Sequence, residues 1–274
     1  VRKLELIEKD NSNWFIPECA SLEDLNLAHD LKYLSRLCSN DVDKKEWRRI
    51  GLPWSEKLVE RTLTAPNGTL LTARRALQTG MACHLAGGTH HAHYDFGSGF
   101  CILNDLAYAA KSLLSAGEVK KILIFDLDVH QGDGTAAILQ NEPRAFTCSI
   151  HCEKNFPFRK SQSDLDLGLD LYMEDEEYLS VVGNTLNQLL DEEKPDIVLY
   201  DAGADVWKQD SLGKLNISWQ GMHDRDELVL KTCLSKHIPV ATVIGGGYDE
   251  DHDRLARRHG IVVETAAHLY HQYL

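Results

Sequence analysis

Two carboxylates and an imidazole alternate along residues 126–134 of this chain, which read Asp-Leu-Asp-Val-His-Gln-Gly-Asp-Gly. The segment follows an apolar run, Ile122–Phe125, with the composition of a buried β-strand. Because a strand projects every second side chain to the same face, Asp126, Asp128 and His130 are expected to point one way as the strand ends. Burying these groups without a counter-ion would be very costly. The spacing therefore favours a divalent metal site.

A catalytic zinc takes three protein ligands and leaves one position open for water, so Asp128 and His130 need one further ligand from elsewhere. Asp205 is the best candidate, because it follows a predicted buried strand and the turn-forming Gly203. The alternative is that Asp205 caps the segment that follows it. Spacing alone leaves both interpretations open.

Two adjacent histidines, His90 and His91, lie in a glycine-rich loop. They could be zinc ligands, acid/base groups or exposed residues without a catalytic role. Acid/base work requires a histidine pKa near the operating pH, which a neighbouring carboxylate usually tunes. Asp126 and Asp133 are spare carboxylates close to the metal strand, and each could hold one imidazole. That would explain why the segment carries more acids than a metal needs.

A run of three glycines, Gly245, Gly246 and Gly247, precedes Tyr248. Glycines allow the backbone to approach a ligand closely, so we expect Gly246 to lie against the substrate. The phenol could donate a hydrogen bond to a developing oxyanion. The alternative is a flexible turn with a packed tyrosine. A phosphate-binding loop is disfavoured, because no Gly-Lys-Ser/Thr signature follows.

The elements that must position these residues are short apolar runs separated by helical patterns. The predicted strands are Ile122–Phe125, Ala145–Ile150, Ile197–Tyr200 and Val240–Ile244. Helices are predicted at 58–86 with an interruption near 66–68, at 105–116 with Asn104 or Asp105 near its cap, at 176–190 and at 220–235. This alternation predicts βαβ units and a mainly parallel sheet. Sites in such sheets lie beyond the carboxyl ends of the strands, where residues 126–130, His151, Asp205 and Tyr248 would fall.

Composition sets limits on the class of protein. The chain has 274 residues, 43% hydrophobic and 26% charged, which fits a globular protein with one large α/β domain or two small ones. Its net charge of −13 argues against nucleic-acid binding. The charge is compatible with a cationic substrate, although surplus surface carboxylates more often only improve solubility.

Location is predicted to be cytoplasmic. No apolar run is long enough for a transmembrane helix, and no apolar signal region follows Val1, so neither a membrane span nor secretion is expected. The seven cysteines include no CxxC pair, which favours reduced thiols over a zinc ribbon or a disulfide framework. The start at Val1 rather than at a methionine suggests a trimmed N-terminus.

Six motifs, in order, resemble those of the histone deacetylase family. They are Gly87–His93, Ser98–Cys101 with Asn104-Asp105, Asp126–Gly134, Ala202–Asp205, Asp210–Gly213 and Gly245–Tyr248. The resemblance covers roughly residues 29–249, and Ser149–Phe158 is most similar to bacterial and class IV-like members. It implies an α/β protein with the three-layer α/β/α arginase/deacetylase fold, in which a central, mainly parallel sheet has about eight strands. Residues 1–274 would form one catalytic domain.

The resemblance also implies a zinc hydrolase that removes acyl groups from amines, usually acetyl from lysine. Zinc would be bound by Asp128, His130 and Asp205, and Tyr248 would be the oxyanion donor. His90 and His91 would be the catalytic pair, backed by Asp126 and Asp133. Gly99, Phe100 and Phe156 would line a narrow acyl-lysine channel. Many members also hold a potassium ion, whose ligands here would be Asp126, Asp128, His130, Ser149 and Ile150, some through backbone carbonyls.

This chemistry suits the residues. Zinc polarises the amide carbonyl and lowers the pKa of a bound water. One histidine, His91 by preference, takes the water proton, while Tyr248 and zinc stabilise the oxyanion. A histidine then protonates the leaving amine, and the sequence leaves open which one acts at which step. A hydroxamate, which chelates zinc through two oxygens, is expected to bind.

The chain departs from the family pattern in three places. Gln131 stands where many eukaryotic members have a second histidine. No acid within 40–60 matches the aspartate with which some members grip the substrate backbone, although Asp41, Asp43 and Glu46 lie there. The N-terminal segment that contributes the first strand is shortened.

Several alternatives remain. The substrate could be acylated lysine in a protein or peptide, a small acylated amine such as an acetylpolyamine, or a long-chain acyl-lysine. The related arginase class needs two manganese ions and is disfavoured, because Ala204 and Val206 flank Asp205 where a paired acid would be required. An inactive acyl-lysine-binding scaffold would have lost a ligand, a catalytic histidine or the tyrosine, and all are present.

Overall fold

Six parallel strands form the centre of the structure, a computed structural model that describes residues 14–273. The strands are hydrogen-bonded in the order β1-β6-β5-β2-β3-β4. Their bounds are β1 Met81–Cys83, β2 Ile122–Asp126, β3 Ala145–Cys152, β4 Leu165–Leu169, β5 Ile197–Asp201 and β6 Val240–Val243. All five strand pairings are parallel, which confirms the predicted parallel sheet.

Helices cover both faces of this sheet. Within the described residues they are α1 Leu22–Leu25, α2 Leu31–Cys38, α3 Lys44–Ile50, α4 Glu56–Thr79, α5 Asp105–Ser115, α6 Asp133–Leu139, α7 Asp175–Glu193, α8 Trp219–Ser235 and α9 His252–Tyr273, with a short 3₁₀ helix at Ala204–Val206. In β2, Ile122 and Ile124 join the core beneath α1–α6, whereas Leu123 and Phe125 join the core beneath α7–α9. This three-layer α/β/α arrangement confirms the predicted fold class.

The strand count differs from the expected eight, because the described residues contain six. A further strand from the N-terminal segment would fall on residues 1–13, which lie outside the described part. Two of the six strands were missed in the sequence. β1 reads Met-Ala-Cys and is a strand only because it pairs with Val240–Thr242 of β6. Likewise, β4 pairs with the end of β3. Short strands defined by their partners leave little signal of their own.

The long helix predicted at 58–86 with an interruption near 66–68 was placed incorrectly. α4 runs without a break from Glu56 to Thr79, with Pro66 inside it. Proline removes one helical donor, but Leu70, Ala73 and Ala76 continue the buried face beyond it. Packing of that buried face therefore outweighs the loss of the one helical hydrogen bond at Pro66. The helix ends at Gly80, whose φ of +83° suits glycine, and β1 follows.

The site is assembled at the carboxyl edge of the sheet. Asp126, the last residue of β2, is opposite Asp201 of β5 on one side and Ser149 of β3 on the other. The loops that leave β1, β2, β5 and β6 meet at this edge. This is where an open parallel sheet binds ligands.

Candidate active site

The turn after β2 differs from the alternating strand that the sequence predicted. β2 ends at Asp126, and the next residues turn instead of extending. The Asp128 amide donates to Asp126 Oδ1 at 3.0 Å, and the His130 amide donates to Asp128 Oδ1 at 2.9 Å. Each carboxylate thus binds the backbone two residues on, as aspartates do in turns. The turn aims Asp126 at the histidine loop and Asp128 at a separate cluster.

That cluster joins Asp128, His130 and Asp205, the three predicted metal ligands. His130 Nδ1 lies 3.0 Å from Asp128 Oδ1 and 3.1 Å from Asp205 Oδ2, and all three side chains are buried. Asp205 Oδ1 accepts the Val129 amide at 2.9 Å, so this carboxylate is fixed to the turn after β2. One nitrogen and two carboxylate oxygens match the donor set of a catalytic zinc site.

Gly246 provides a test of whether a metal fits there. A Cβ at this position would lie 2.3 Å from Asp205 Oδ2 and 2.7 Å from Asp128 Oδ2. The Gly246 amide also donates to Asp128 Oδ2 at 2.6 Å. A side chain here would occupy the space between the two carboxylates, and glycine leaves it free for an ion. The donor set and this space both fit zinc.

The electrostatics of the cluster also favour a cation. Burial and the charge of Asp128 raise the pKa of Asp205 to about 7. Burial would lower the pKa of His130, but its hydrogen bonds to Asp128 and Asp205 outweigh burial and raise that pKa to about 10. The metal-free cluster therefore attracts protons strongly, and a bound cation would take their place.

The adjacent histidines are held by two different carboxylates. His90 Nδ1 lies 2.7 Å from Asp126 Oδ2, and His91 Nδ1 lies 2.6 Å from Asp133 Oδ1. Their Nε2 atoms face each other at 3.2 Å. The remaining oxygen of Asp133 lies 3.1 Å from Nε2 of His93, a partner that the sequence did not suggest. Both catalytic candidates are buried beside the metal cluster rather than exposed.

The two histidines have opposite proton affinities. Burial would lower the pKa of His90, but Asp126 and Asp128 outweigh it, so this pKa lies well above the usual value. Burial and the neighbouring charge of His90 lower the pKa of His91 to about 4, despite the opposing effect of Asp133. His90 therefore carries a proton at neutral pH, whereas His91 is free to accept one.

Asn104 and Asp105 fix the loop that presents these histidines, a role that sequence reasoning did not assign. Asn104 Nδ2 donates to the carbonyls of His90 and Ala92 at 3.2 and 3.1 Å. Asp105 accepts the Thr89 amide at 2.7 Å and the Thr89 hydroxyl at 2.5 Å. The signal was present, since Asn104-Asp105 belongs to one of the six motifs, but it indicated only a helix cap.

Tyr248 is held through its backbone by a buried ion pair. Its amide donates to Asp210 Oδ2 at 2.7 Å, and Arg258 donates to its carbonyl at 3.0 Å and to Asp210 at 3.2 Å. Burial, followed by the charges of Asp128 and Asp205, raises the pKa of the phenol well above its usual value. Tyr248 therefore keeps its proton and can donate it in a hydrogen bond.

A cavity of about 270 Å³ connects these groups to the surface. Its lining includes His91, Asp128, His130, Phe100, Gly246 and Tyr248. The Phe100 ring lies 5.5 Å from that of Tyr248, and the Phe156 ring lies 4.8 Å from that of His91. A Cβ on Gly99 would lie 2.6 Å from His91 and 3.0 Å from Phe156, so glycine keeps this wall thin.

Other residues named from the sequence have structural contacts of their own. His151 is buried, its Nδ1 lies 3.0 Å from Ser149 Oγ, and it is not a member of the cluster of Asp128, His130 and Asp205. Gln131 donates to Ser161 and Asp166. Ile150 lies in the core.

The acidic residues of α3 do not act as a free substrate clamp. Asp43 caps α3, and Glu46 pairs with Arg36 at 2.8 Å, while Asp41 is exposed. Asp43 and Glu46 are therefore engaged in structural contacts.

Asp201 is the main residue of this edge that the sequence did not reveal. It ends β5, is fully buried, and its register partner on β2 is Asp126. In the sequence it reads only as the polar end of a strand, four positions before Asp205.

Comparisons with known proteins agree with this geometry. A model of the histone deacetylase domain matches residues 2–265. The chain is 51% identical to an uncharacterised protein of Picosynechococcus sp., over 93% of this chain and 84% of that one. It is 29% identical to histone deacetylase 2 of Arabidopsis thaliana, over 84% of this chain and 62% of the relative. It is 30% identical to the acetoin utilization protein AcuC of Staphylococcus aureus, over 84% of this chain and 65% of the relative.

The fold comparison gives the same result. A crystal structure of an HDAC homologue complexed with SAHA superposes with a TM-score of 0.79 at 25% identity, covering 94% of this chain and 73% of that one. The chain spans less than two thirds of the length of the Arabidopsis thaliana and Staphylococcus aureus relatives. In the described part of the chain, no helix is both long and apolar enough to cross a membrane.

Proposed function

We propose a function from the family to which this chain belongs, the histone deacetylases, whose members are deacetylase-type hydrolases. The proposed activity is that of a zinc-dependent enzyme that removes an acyl group, foremost acetyl, from the side-chain amine of lysine in proteins or peptides. The observation that carries the proposal is the placement of two buried, carboxylate-backed histidines beside a three-ligand cluster at the base of a cavity. We take residues 1–274 as one catalytic domain.

Asp128, His130 and Asp205 would hold the zinc. When bound, the metal supplies Lewis-acid chemistry, because it polarises the amide carbonyl and makes water more acidic. Potassium is a second proposed ion, with Asp126, Ser149 and Ile150 joining Asp128 and His130 as ligands. Ser149 of β3 is the register partner of Asp126 at the end of β2, which supports this assignment.

The protein's own groups move the protons. His91, neutral and held by Asp133, takes the proton from the attacking water. His90, protonated and held by Asp126, donates to the departing amine. Tyr248 donates a hydrogen bond to the oxygen that gains negative charge. The contrast between the two histidine pKa values supports this division of labour.

The aromatic surroundings of the cavity suit an unbranched chain, since Phe100 lines it and Phe156 packs on His91, which lines it. Phe100 and Phe156 are partly exposed aromatic residues at 43% and 44%, and they contact Tyr248 and His91 respectively. Aromatic faces stabilise the methylene groups of a lysine side chain and exclude water from the reacting amide. Gly99 leaves room beside His91 and the Phe156 ring.

A small acylated amine is a second candidate substrate. Asp43 and Glu46 are engaged in a helix cap and an ion pair, so neither is free to grip a peptide backbone. Of the three acids only the exposed Asp41 is left for that contact, so a substrate without a flanking backbone would give up at most one such interaction. We further propose a cytoplasmic location, in keeping with seven free cysteines.

The test is a panel of acetyl-, butyryl- and palmitoyl-lysine peptides and N-acetylated diamines, assayed with zinc-loaded protein. Free amine should be released fastest from acetyl-lysine peptides. Asp205→Asn, which removes one ligand without changing shape, should abolish release. A protein that binds one zinc yet releases no amine from any member of the panel would support an acyl-lysine-binding scaffold instead.

A further inference from the structure

Asp201 is a buried carboxylate that no hydrogen-bond donor reaches from the part of the chain that the structure describes. Its exposed fraction is 0%, and among residues 14–273 neither Oδ1 nor Oδ2 has a partner. A buried carboxylate in this state is costly, since it has lost water and gained nothing in return. The neighbouring acids at the same edge differ, because Asp126, Asp128 and Asp205 each accept a backbone amide. Asp201 therefore needs a positively charged partner or a proton.

The surroundings of Asp201 leave little room for a larger partner. A Cβ on Gly88 would lie 2.8 Å from Asp201 Oδ1, and one on Gly245 would lie 2.3 Å from it. Both glycines have positive φ angles, +80° and +58°, and a Cβ on Gly88 would lie 2.5 Å from Gly245 Cα, so the two loops pack tightly against each other and the carboxylate. A single ion fits such a space, whereas a substrate does not.

Two other possible ligands face Asp201. Single ligand atoms of His90, Asp126 and Asp201 all lie within 4.8 Å of one another, and all three residues are buried. This cluster shares no residue with the cluster of Asp128, His130 and Asp205. The two are adjacent, since His90 Nε2 lies 3.8 Å from Asp128 Oδ1.

We propose that His90, Asp126 and Asp201 form a second cation site, next to the first, that takes a divalent transition-metal ion such as Mn²⁺ or Zn²⁺. The site differs from the potassium ligands, because Ser149 and Ile150 lie on the β3 side of Asp126, whereas Asp201 lies on the β5 side.

The donor set decides the class of ion. Two carboxylates carry two negative charges, which a divalent ion neutralises and a monovalent ion does not. An imidazole nitrogen favours Mn²⁺, Fe²⁺, Co²⁺ or Zn²⁺ over Na⁺, K⁺, Mg²⁺ and Ca²⁺. Bonds of about 2.0–2.2 Å place ligand atoms at most about 4.4 Å apart, so small side-chain shifts close the cluster around such an ion.

A cation bound at the site of His90, Asp126 and Asp201 would change the role of His90. The ion binds the ring nitrogen that now faces Asp126 at 2.7 Å, so the proton on that nitrogen leaves to solvent and the hydrogen bond is replaced by two metal bonds. An imidazole bound through Nδ1 keeps the proton on Nε2, but it is no longer the doubly protonated imidazolium and is therefore a much weaker acid toward the leaving amine. The second ion is therefore expected to inhibit deacylation. This inhibition rests on the proposed function, whereas the binding of the second ion does not depend on it.

The experiment measures metal stoichiometry in the full chain. Metal-free protein is titrated with Mn²⁺, and bound metal is counted by isothermal titration calorimetry and elemental analysis. The unaltered chain should bind two ions. Asp201→Asn, which keeps the shape but removes the charge, should bind one, and Asp205→Asn should also bind one. Asp166→Asn is the matched control, because Asp166 belongs to neither cluster, and it should bind two.

A second measurement needs no variant. Crystals of the unaltered chain soaked in Mn²⁺ should show two anomalous peaks, one of them between Asp126 and Asp201. A single peak at Asp128, His130 and Asp205 would overturn the proposal and indicate that Asp201 is protonated. Two ions that persist in Asp201→Asn would overturn it as well.

The inhibitory consequence has its own test. The rate of deacylation by the unaltered chain should fall at least tenfold as Mn²⁺ or Zn²⁺ exceeds one equivalent. The rate of Asp201→Asn should not fall over the same range of metal concentration. If no variant deacylates any substrate, the proposed function fails, while the stoichiometry still decides the site.

Discussion

Tyr248 is the single residue whose loss should separate binding from catalysis. Its phenol lines the cavity, but it belongs to neither ligand cluster. Tyr248→Phe should therefore retain one equivalent of zinc at the first site and lose about 10²–10³-fold in kcat, the usual effect of removing one oxyanion donor. The measurement is steady-state hydrolysis of an acetyl-lysine peptide beside metal analysis.

A control keeps this test specific. Tyr172 is 68% exposed, and Tyr172→Phe should retain the parent rate. If Tyr248→Phe matched the parent as well, the oxyanion role would be wrong.

His29 should make stability depend on pH. It is fully buried, its Nδ1 donates to the His93 carbonyl at 3.0 Å, and its Nε2 accepts the Asn104 amide at 2.8 Å. Burial lowers its pKa to about 4 from the usual 6.5. Between those values the unfolded chain binds a proton that the folded chain does not, so stability falls as pH falls and levels off below about 4. The difference amounts to about 3 kcal/mol.

Urea unfolding at pH 7.0 and 4.5 measures this effect. The parent should lose more stability between the two pH values than His29→Gln does, because the other histidines are common to both. The variant should be less stable at pH 7, since it loses one hydrogen bond. Equal losses in the two proteins would contradict the role of His29.

The sequence singled out many of the residues that the structure brings together at this edge, but not the contacts between them. Alternating acids and histidines made Asp128 and His130 candidates from spacing. Asp205 was a candidate because it follows a predicted strand and a glycine turn, and the family resemblance implied all three as one ligand set. The turn that places Asp126 against His90 could not be predicted, because it depends on amide hydrogen bonds that form where the strand ends. Asp201 was missed because only strand register places it beside Asp126.

Among the elements, α5 connects the fold to the chemistry through its first turn. Asn104 Oδ1 caps the helix by accepting the Ala107 amide at 2.9 Å, and Nδ2 donates to the loop that carries His90 and His91. Asn104→Ala should cost about 1–2 kcal/mol through the lost cap. It should also lower kcat about tenfold or more, because the histidines are no longer held in place.

Asn104→Asp separates these two effects. The aspartate keeps the oxygen that caps α5 but cannot donate to the His90 and Ala92 carbonyls. Its helix should remain capped while kcat falls with little change in KM. Full activity in Asn104→Asp would show that the loop does not need these hydrogen bonds.

Elements with a strong internal pattern were predicted well, and those defined by partners were not. β2 and β5 are continuous apolar runs because both of their faces are buried, and they were placed nearly to the residue. β1 has three residues and no pattern of its own. Pro66 suggested an interruption in α4, but the helix packs on the core before it through the partly buried Leu58, Val59 and Leu63 and after it through its buried face.

For the whole molecule, stability should depend on the metal. Removing the ion leaves Asp128 and Asp205 buried against each other, with the pKa of Asp205 raised to about 7. A metal present at 100 times its Kd stabilises a protein by about 2.7 kcal/mol, which corresponds to about 5–10 °C in a chain of this size.

Thermal unfolding with and without a chelator measures the difference. The apparent affinity for metal should rise as pH rises from 6 to 8, because protons then compete less for Asp205. A chelator that leaves Tm unchanged at pH 8 would contradict a tightly held ion.

The central claim is that one zinc at Asp128, His130 and Asp205 makes this chain a lysine deacylase. The most direct test is to add zinc stepwise to the metal-free protein and measure acetate released from an acetyl-lysine peptide. We expect no release without metal, a maximum at one equivalent per chain, and no release at any zinc concentration from Asp205→Asn. Release that is independent of zinc, or one bound zinc without any release, would contradict it.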